Sequence, residues 1–408
     1  MGREDAFSDD IDWLDVGSDA PGQATPPRRP WPRWFTVVVV LTAVALVLTV
    51  LNRERGVQSA ARLSTAPTTS APPPTPTQTP TSTQTAPETS TAPTTALPAV
   101  SVTQLDRPLL GATTGWELIG YGDAVLVRIE LAAGRITRTA IPSFPDNGAA
   151  TLLAGTDRVR IQPFDRTPSF LVPDGKPFRE LPALKRDGLV FPGPAANQMW
   201  MESGDSPHPV MTLATLDGGK LAGSLPIPPE LSAYDAVADG AGGLLFPGAS
   251  GVYAAQSNGL RRISTGSLAA VGPTGWLVTE CDDRYRCQTV LIGRADRSRR
   301  TVNPPLSVRS PRGSISPDGA TAAVMIVDFN GDIALHLLDL ASGSQRVLKV
   351  FTSDEYGGAG IVWSPDSSWV FTLTAQGTLV VLNRETGGLG GLNMSLPPLN
   401  QLVVRPGG

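Results

Sequence analysis

Seven times between Val125 and Leu392 the chain repeats one local pattern, in which an apolar run ends in a tight turn and resumes as a short strand. The turns fall near Gly134 (VLVRIELAAGRITR), Gly175 (FLVPDGKPFREL), Gly218 (MTLATLDGGKLAG), Gly259 (VYAAQSNGLRRI), Asp296 (TVLIGRADRSRRTV), Gly343 (LHLLDLASGSQRVL) and Gly387 (LVVLNRETGGLGGL). Successive spacings are 41, 43, 41, 37, 47 and 44 residues. Each unit, roughly 40–45 residues long, has room for four short strands. Beyond Val100 no run suggests a helix longer than two turns, and Gly, Pro, Asn and Asp separate the β-rich runs. The expected fold of residues 101–408 is all-β, a seven-bladed β-propeller of four-stranded blades.

The last two units carry a sharper signature. They read ISPDGATAAVMI…ALHLLDLASG and WSPDSSWVFTLT…GTLVVLNRETG, with SPD triplets at Ser316 and Ser364, 48 residues apart. Over about residues 311–395 this resembles the TolB-type, WD-like propeller repeat, in which the SPDG turn joins the first two strands of a blade. Pro317 and Pro365 preset φ for a turn, Asp318 and Asp366 can bond its backbone, and Gly319 accepts positive φ. The resemblance implies an interaction surface and no particular reaction, because such propellers serve as partner-binding modules and as accessory domains of enzymes. Ring closure needs a strand shared between first and last blades. The terminal LNQLVVRPGG and the segment from Val102 to Leu105 are the two sources.

The N-terminal quarter reads differently. Phe35 to Leu51 is a run of 17 uncharged residues, mostly Val, Leu and Ala, flanked by Trp31, Trp34, Arg28, Arg29, Arg33, Arg53 and Arg55. At 1.5 Å per residue it spans roughly 26 Å, enough for a hydrocarbon core once flanking residues help. A single transmembrane helix is expected over 34–52. A cleaved signal peptide ending near Ser59-Ala60-Ala61 is the rival reading, but its leader would be 34 residues long and acidic. Residues 64–98 hold 13 Thr, 9 Pro, 5 Ala and 4 Ser among 35. Such a composition cannot offset its ordering entropy, so 53–100 reads as a disordered, extended stalk. That stalk and a close cysteine pair fit the outside of a bacterial cell membrane, which puts the 1–33 tail in the cytoplasm. The tail is acidic and expected to be disordered. Within its SDDIDWLDVGSD, Ile11, Trp13 and Leu14 are candidates for docking a basic, grooved cytoplasmic partner.

Charge narrows the partners further. The chain carries 33 basic and 37 acidic residues, and no basic stripe is visible along it. This argues against nucleic acid.

Chemistry is sparse. Cys281 and Cys287 are the only cysteines, and CDDRYRC spans them at a strand–turn–strand position. That spacing suits a hairpin disulfide, and with no histidine nearby it makes a poor metal site. His208 and His336 lie in different units, and His336 alternates within an apolar strand. DFNGD at Asp328 to Asp332 imitates a calcium loop but lacks the distal glutamate and reads as a hairpin turn. No nucleophile–histidine pair, metal site or cofactor site is predicted. In a propeller, loops joining second to third strands share one face with loops between blades. That face would collect Asp205, His208, the Asp328–Asp332 turn and the candidate binding residues Asp282, Asp283, Arg284, Tyr285, Arg286, Asp354, Glu355 and Tyr356. Mixed charge with Tyr285 and Tyr356 suits a protein, peptide or glycan ligand. The expected function is a membrane-tethered, non-catalytic binding, scaffold or sensor module. The alternatives are a surface hydrolase or lyase using carboxylates in the funnel, and an assembly factor for an envelope complex.

Overall fold

The structure is a computed structural model. It describes residues 11–13, 100–144, 150–164, 168–182, 189–203, 209–256, 259–303, 313–327, 333–348 and 360–406. The expected span over 34–52 and the stalk over 53–99 lie outside those residues. Among the described residues no helix is long and apolar enough to cross a membrane, and the helical content is one 3-10 turn at Ala233–Asp235.

Among the described residues thirty strands follow one another. After β1 (Ile11–Trp13) and β2 (Val100–Gln104), the first meander runs through β3 (Glu117–Gly122), β4 (Val125–Glu130) and β5 (Arg135–Ala140). The second is β6 (Ala150–Ala154), β7 (Arg158–Pro163), β8 (Ser169–Pro173) and β9 (Arg179–Leu181). The third is β10 (Val190–Pro192), β11 (Gln198–Ser203), β12 (Val210–Thr215) and β13 (Lys220–Pro226). The fourth is β14 (Val237–Ala238), β15 (Leu244–Gly248), β16 (Gly251–Gln256) and β17 (Gly259–Ser264). The fifth is β18 (Ser267–Val271), β19 (Gly275–Cys281), β20 (Cys287–Gly293) and β21 (Arg299–Val302). The sixth is β22 (Gly313–Ile315), β23 (Thr321–Val327), β24 (Ile333–Asp339) and β25 (Gln345–Leu348). The last is β26 (Val362–Trp363), β27 (Trp369–Leu373), β28 (Leu379–Asn383) and β29 (Leu389–Leu392), and β30 (Gln401–Arg405) ends the chain's strands.

The leading strands meet in a closed cycle. β30 lies beside β6, β6 beside β10 and β10 beside β14; the fourth and fifth meanders meet through β15 and β18; then β18 touches β22, β22 touches β26, and β26 returns to β30. This is a β-propeller. Hydrogen bonding nevertheless corrects the expectation of seven separate blades. Five sheets of four or five strands stand alone, and the remaining eight strands form one continuous sheet. The join is parallel pairing of β18 with β22, Ala270 opposite Gly313 and Val271 opposite Ser314.

Apolar clusters lie between neighbouring meanders. Leu118, Val127 and Ile129 pack with Phe371, Leu373 and Val381 across the closing seam, for example. Strands in the middle of a meander are covered on both faces, so β27 (WVFTL) is buried throughout. This produces continuous apolar runs in place of the alternation of a half-exposed strand. The outer strand β21 (RRTV) buries only Val302.

Of the two proposed sources the terminal strand closes the ring, and the other lies on the opposite, outer edge of the same sheet. β30 pairs antiparallel with the inner edge of β3, while β2 pairs with the outer edge of β5. An ionic cluster fastens the inner edge. Arg405 on β30 bonds Glu117 on β3, Asp174 in the β8–β9 turn at 2.8 Å, and the Gly155 carbonyl at 3.2 Å. Arg128 on β4 bonds the same two carboxylates, each at 2.9 Å. Both arginines are 5 % exposed. Burial works against the charge of Arg405, but Asp174 and Glu117 outweigh it and hold its pKa above the ordinary value.

The tail segment expected to dock a cytoplasmic partner takes another place. Ile11–Trp13 pairs antiparallel with β29, Ile11 opposite Leu392 and Trp13 opposite Gly390. The outer edge of β29 otherwise offers an unpaired row of backbone donors and acceptors. Leu14 lies outside the described residues. Within one chain this pairing and a membrane span between the two partners exclude each other.

Candidate functional site

CDDRYRC forms the connection between β19 and β20, with Cys281 directly opposite Cys287 and their Cα atoms 3.9 Å apart. The two are joined as a disulfide. Inside it Asp282 organises the turn. Its Oδ1 accepts from the backbone N–H groups of Arg284 (3.0 Å) and Arg286 (2.9 Å), and its Oδ2 accepts from Arg286 Nε at 2.7 Å. The backbone and side-chain hydrogen bonds from Arg286, with that from the Arg284 N–H, hold the Asp282 carboxyl below its ordinary pKa. Tyr285 N–H donates to the Asp282 carbonyl at 2.9 Å, which closes the turn.

The consequence falls on Tyr285. Its φ is +58°, a left-handed conformation unusual for a bulky residue, and its side chain is 91 % exposed. With Asp282 and Arg286 satisfied against each other, the loop projects Asp283, Arg284 and Tyr285 into solvent.

Strand order assigns faces. β19–β20 is a second-to-third connection, whereas the SPD turns join β22 to β23 and β26 to β27, first to second. In an antiparallel meander these connections leave by opposite ends, so the CDDRYRC loop lies opposite Asp318 and Asp366. Asp354, Glu355 and Tyr356 lie outside the described residues, as do Asp205, His208 and the Asp328–Asp332 turn. The expected set is thus seen only as its Asp282–Arg286 half.

The SPD turns are structural in their contacts. Ser316 Oγ donates to Asp318 at 2.5 Å and accepts from Thr321 N–H at 3.0 Å. Ser364 repeats this with Asp366 at 2.5 Å and Trp369 N–H at 2.9 Å. Gly319 takes φ +72°, and Ser367 takes +63° at the equivalent position. The two turns are also tied together, since Asp318 N–H donates to Ser367 Oγ at 3.0 Å and Arg384 pairs with Asp318 at 2.5 Å. His336 is a half-buried strand residue whose Nδ1 lies 3.4 Å from Gln345 Oε1; burial lowers its pKa.

Among the described residues no three His, Cys, Asp or Glu side chains converge as a metal site. A cleft of about 530 Å³ opens at the closing seam beside Asp366, Arg384, Glu385 and Trp116. Another, of about 510 Å³, lies beside Thr374, Gln376 and the Ser395–Pro398 segment. Neither contains a residue of the CDDRYRC loop. A grouping that linear sequence conceals is Arg261 with Arg294 and Arg297, drawn from β17 and the β20–β21 turn. The only signal for it was the density of arginine in LRRIS and GRADRSRR.

No family model matches the chain, and comparison with curated proteins gives no match. Among solved structures it is similar to TolB from Acinetobacter baumannii, at 11 % identity and TM-score 0.41, over 72 % of this chain and 66 % of that one. Apo AztD from Citrobacter koseri gives 12 % and 0.41, over 72 % and 98 %. An oligogalacturonate lyase in complex with manganese gives 10 % and 0.49, over 66 % and 82 %. The cycle of strands described above is what makes the fold of this chain a β-propeller.

Proposed function

We propose that this chain is a non-catalytic binding module whose recognition element is the disulfide-bridged Asp282–Arg286 loop. The observation that carries the reading is Tyr285, a large aromatic 91 % exposed on a turn already fixed by a covalent bridge and by Asp282. Fixing a loop before binding removes an entropic cost of complex formation. Tyrosine and arginine are also the side chains that most often dominate interface energetics. The ligand class is a protein, peptide or glycan with mixed polar character. The sequence expectation adds Asp354, Glu355 and Tyr356, which lie outside the described residues, to the same recognition set.

We read the eight-stranded sheet as two blades bridged at their inner strands, which makes the ring seven four-stranded units. The two-residue length of the β18–β22 pairing supports this count. The uncharged 35–51 run, the acidic leader and the disulfide support a single-pass anchor with the N-terminus cytoplasmic and the propeller outside. In that anchored state β1 must be released from β29.

The test compares what co-purifies with the intact wild-type protein and with a Tyr285→Ala/Arg286→Ala variant, quantified species by species. Loss of about 2 kcal/mol at a hot spot is roughly thirtyfold in affinity, so a true ligand should be depleted at least tenfold at unchanged melting temperature. Identical recoveries from both proteins would remove the loop from the binding role.

A further inference from the structure

We propose that Arg261, Arg294 and Arg297 form a binding site for a phosphate-class oxyanion between the fourth and fifth meanders. It lies on the face opposite the CDDRYRC loop and is independent of the role proposed for that loop. Arg294 and Arg297 belong to the third-to-fourth turn of the fifth meander, and Arg261 follows the equivalent turn of the fourth. The outer strands of the two meanders are in contact there, since Arg299 donates to the Ile263 carbonyl at 3.1 Å.

The floor of the site is Trp276, 1 % exposed. The guanidinium carbons of Arg294 and Arg297 stand 5.0 and 4.8 Å from its ring centroid. Such stacking holds a cation without neutralising it. Arg294 is otherwise committed, paired with Asp239 and donating to the Pro273 carbonyl at 3.0 Å and the Gly272 carbonyl at 3.2 Å. Asp239 is in turn held by the N–H groups of Ala241 and Gly243 at 2.9 and 2.8 Å, so its position is fixed.

Arg297 has no such partner among the described residues, none of which hydrogen-bonds its buried Nη1. Its backbone is held at φ +58° in a turn whose Asp296 accepts from Ser298 N–H at 3.0 Å. Arg261 is exposed, and no described residue pairs with it. Burial, then the nearby charges of Arg261 and Arg294, lower the pKa of Arg297, with Asp239 opposing them. Asp239 is taken by Arg294, and among the described residues no carboxylate stands within ion-pair distance of Arg261 or Arg297. A bound dianion can pair with both of these guanidiniums, whereas a single carboxylate leaves one charge uncompensated. The forked geometry of arginine suits tetrahedral oxyanions, and desolvation against Trp276 strengthens the pairing. The anion could be free phosphate or a phosphoryl group on a lipid headgroup.

The experiment is calorimetric titration of the full-length chain with inorganic phosphate at constant ionic strength, with chloride as control. A parallel arm uses phosphatidylglycerol vesicles with and without competing phosphate. The expected result is saturable binding of one phosphate per chain, tighter at pH 8 than at pH 6 as the dianion predominates. Arg261→Gln and Arg297→Gln should each weaken it tenfold or more. Vesicle binding that phosphate competes away, with the same sensitivity to both substitutions, would identify the headgroup as the source. Arg261→Gln, at an exposed strand position, keeps the test independent of folding; without phosphate it should melt no lower than wild type, since it removes a repelling charge. Absence of saturable binding in both arms, or equal binding by both variants and wild type, would overturn the proposal.

Discussion

Replacing Arg405 with methionine leaves Glu117 and Asp174 sharing Arg128 alone, so a neutral buried cluster becomes one with a net negative charge. The wild-type side chain bonds both carboxylates and the Gly155 carbonyl while 5 % exposed. Removing one partner from a buried ionic cluster costs about 3–5 kcal/mol, mostly through the uncompensated charge left behind. For a domain of this size roughly 2–3 °C accompanies each kcal/mol, so the midpoint should fall by about 6–15 °C. The assay is thermal unfolding of the purified full-length chain, followed by near-ultraviolet circular dichroism. A compensated variant separates charge from packing: Arg405→Met with Glu117→Gln restores neutrality and should recover more than half of the loss. If Arg405→Met melts within about 2 °C of wild type, the cluster does not fasten the ring. If the compensated variant is no better than the single one, the loss is packing and the electrostatic argument fails.

Three further outcomes are expected. Replacing Cys281 and Cys287 together by serine should cost about 2 kcal/mol, the chain-entropy value for so short a loop, without loss of the native circular dichroism spectrum; global unfolding would contradict this. Burial lowers the pKa of His336 below 6.5, so the unfolded chain takes up the proton first. Its contribution to stability is therefore complete above pH 6.5 and declines as pH falls toward the lowered value. Denaturation midpoints of His336→Gln should accordingly change less between pH 7 and 5.5 than those of wild type, and parallel curves would refute the assignment. Gly343 has φ +75°, and a Cβ there would stand 1.6 Å from the Asn303 carbonyl oxygen; Gly343→Ala should lose about 2–4 kcal/mol in chemical denaturation, and a neutral result would show that the turn relaxes freely.

What the sequence revealed follows the range of the forces involved. The turns near Gly134, Gly175, Gly218, Gly343 and Gly387 were legible because positive φ between two strands favours a specific residue, and each proves to separate the last two strands of a meander. The SPD turns were legible for the same reason: Ser316 and Ser364 bond residues only two and five positions away. The Cys281–Cys287 bridge also depends on neighbours within one hairpin. Pairing of Val271 with Ser314 is another matter, since neither residue carries a mark of a partner 43 positions away. Nor does IDW carry a mark of Leu389–Leu392, because backbone hydrogen bonds along an open edge are almost independent of side chain. The arginine site was invisible for a related reason. Arg261 and Arg297 are separated by a whole strand repeat, and the nearly balanced charge of the chain hid their local excess.

Closure by β30 also sets an order of events during synthesis. The inner edge of β3 is complete once Gly122 is made, yet its partner ends at Arg405. At about 5–20 residues per second, those intervening residues take roughly 15–60 s to translate. Throughout that interval the first sheet has an open edge facing a half-built ring, with Glu117 awaiting its second cation. Nascent chains on polysomes therefore spend most of their elongation time as open crescents, when one chain's β3 can accept a strand from another. A holdase that covers this edge until residue 405 emerges would act at the stage where the fold is most exposed to misassembly.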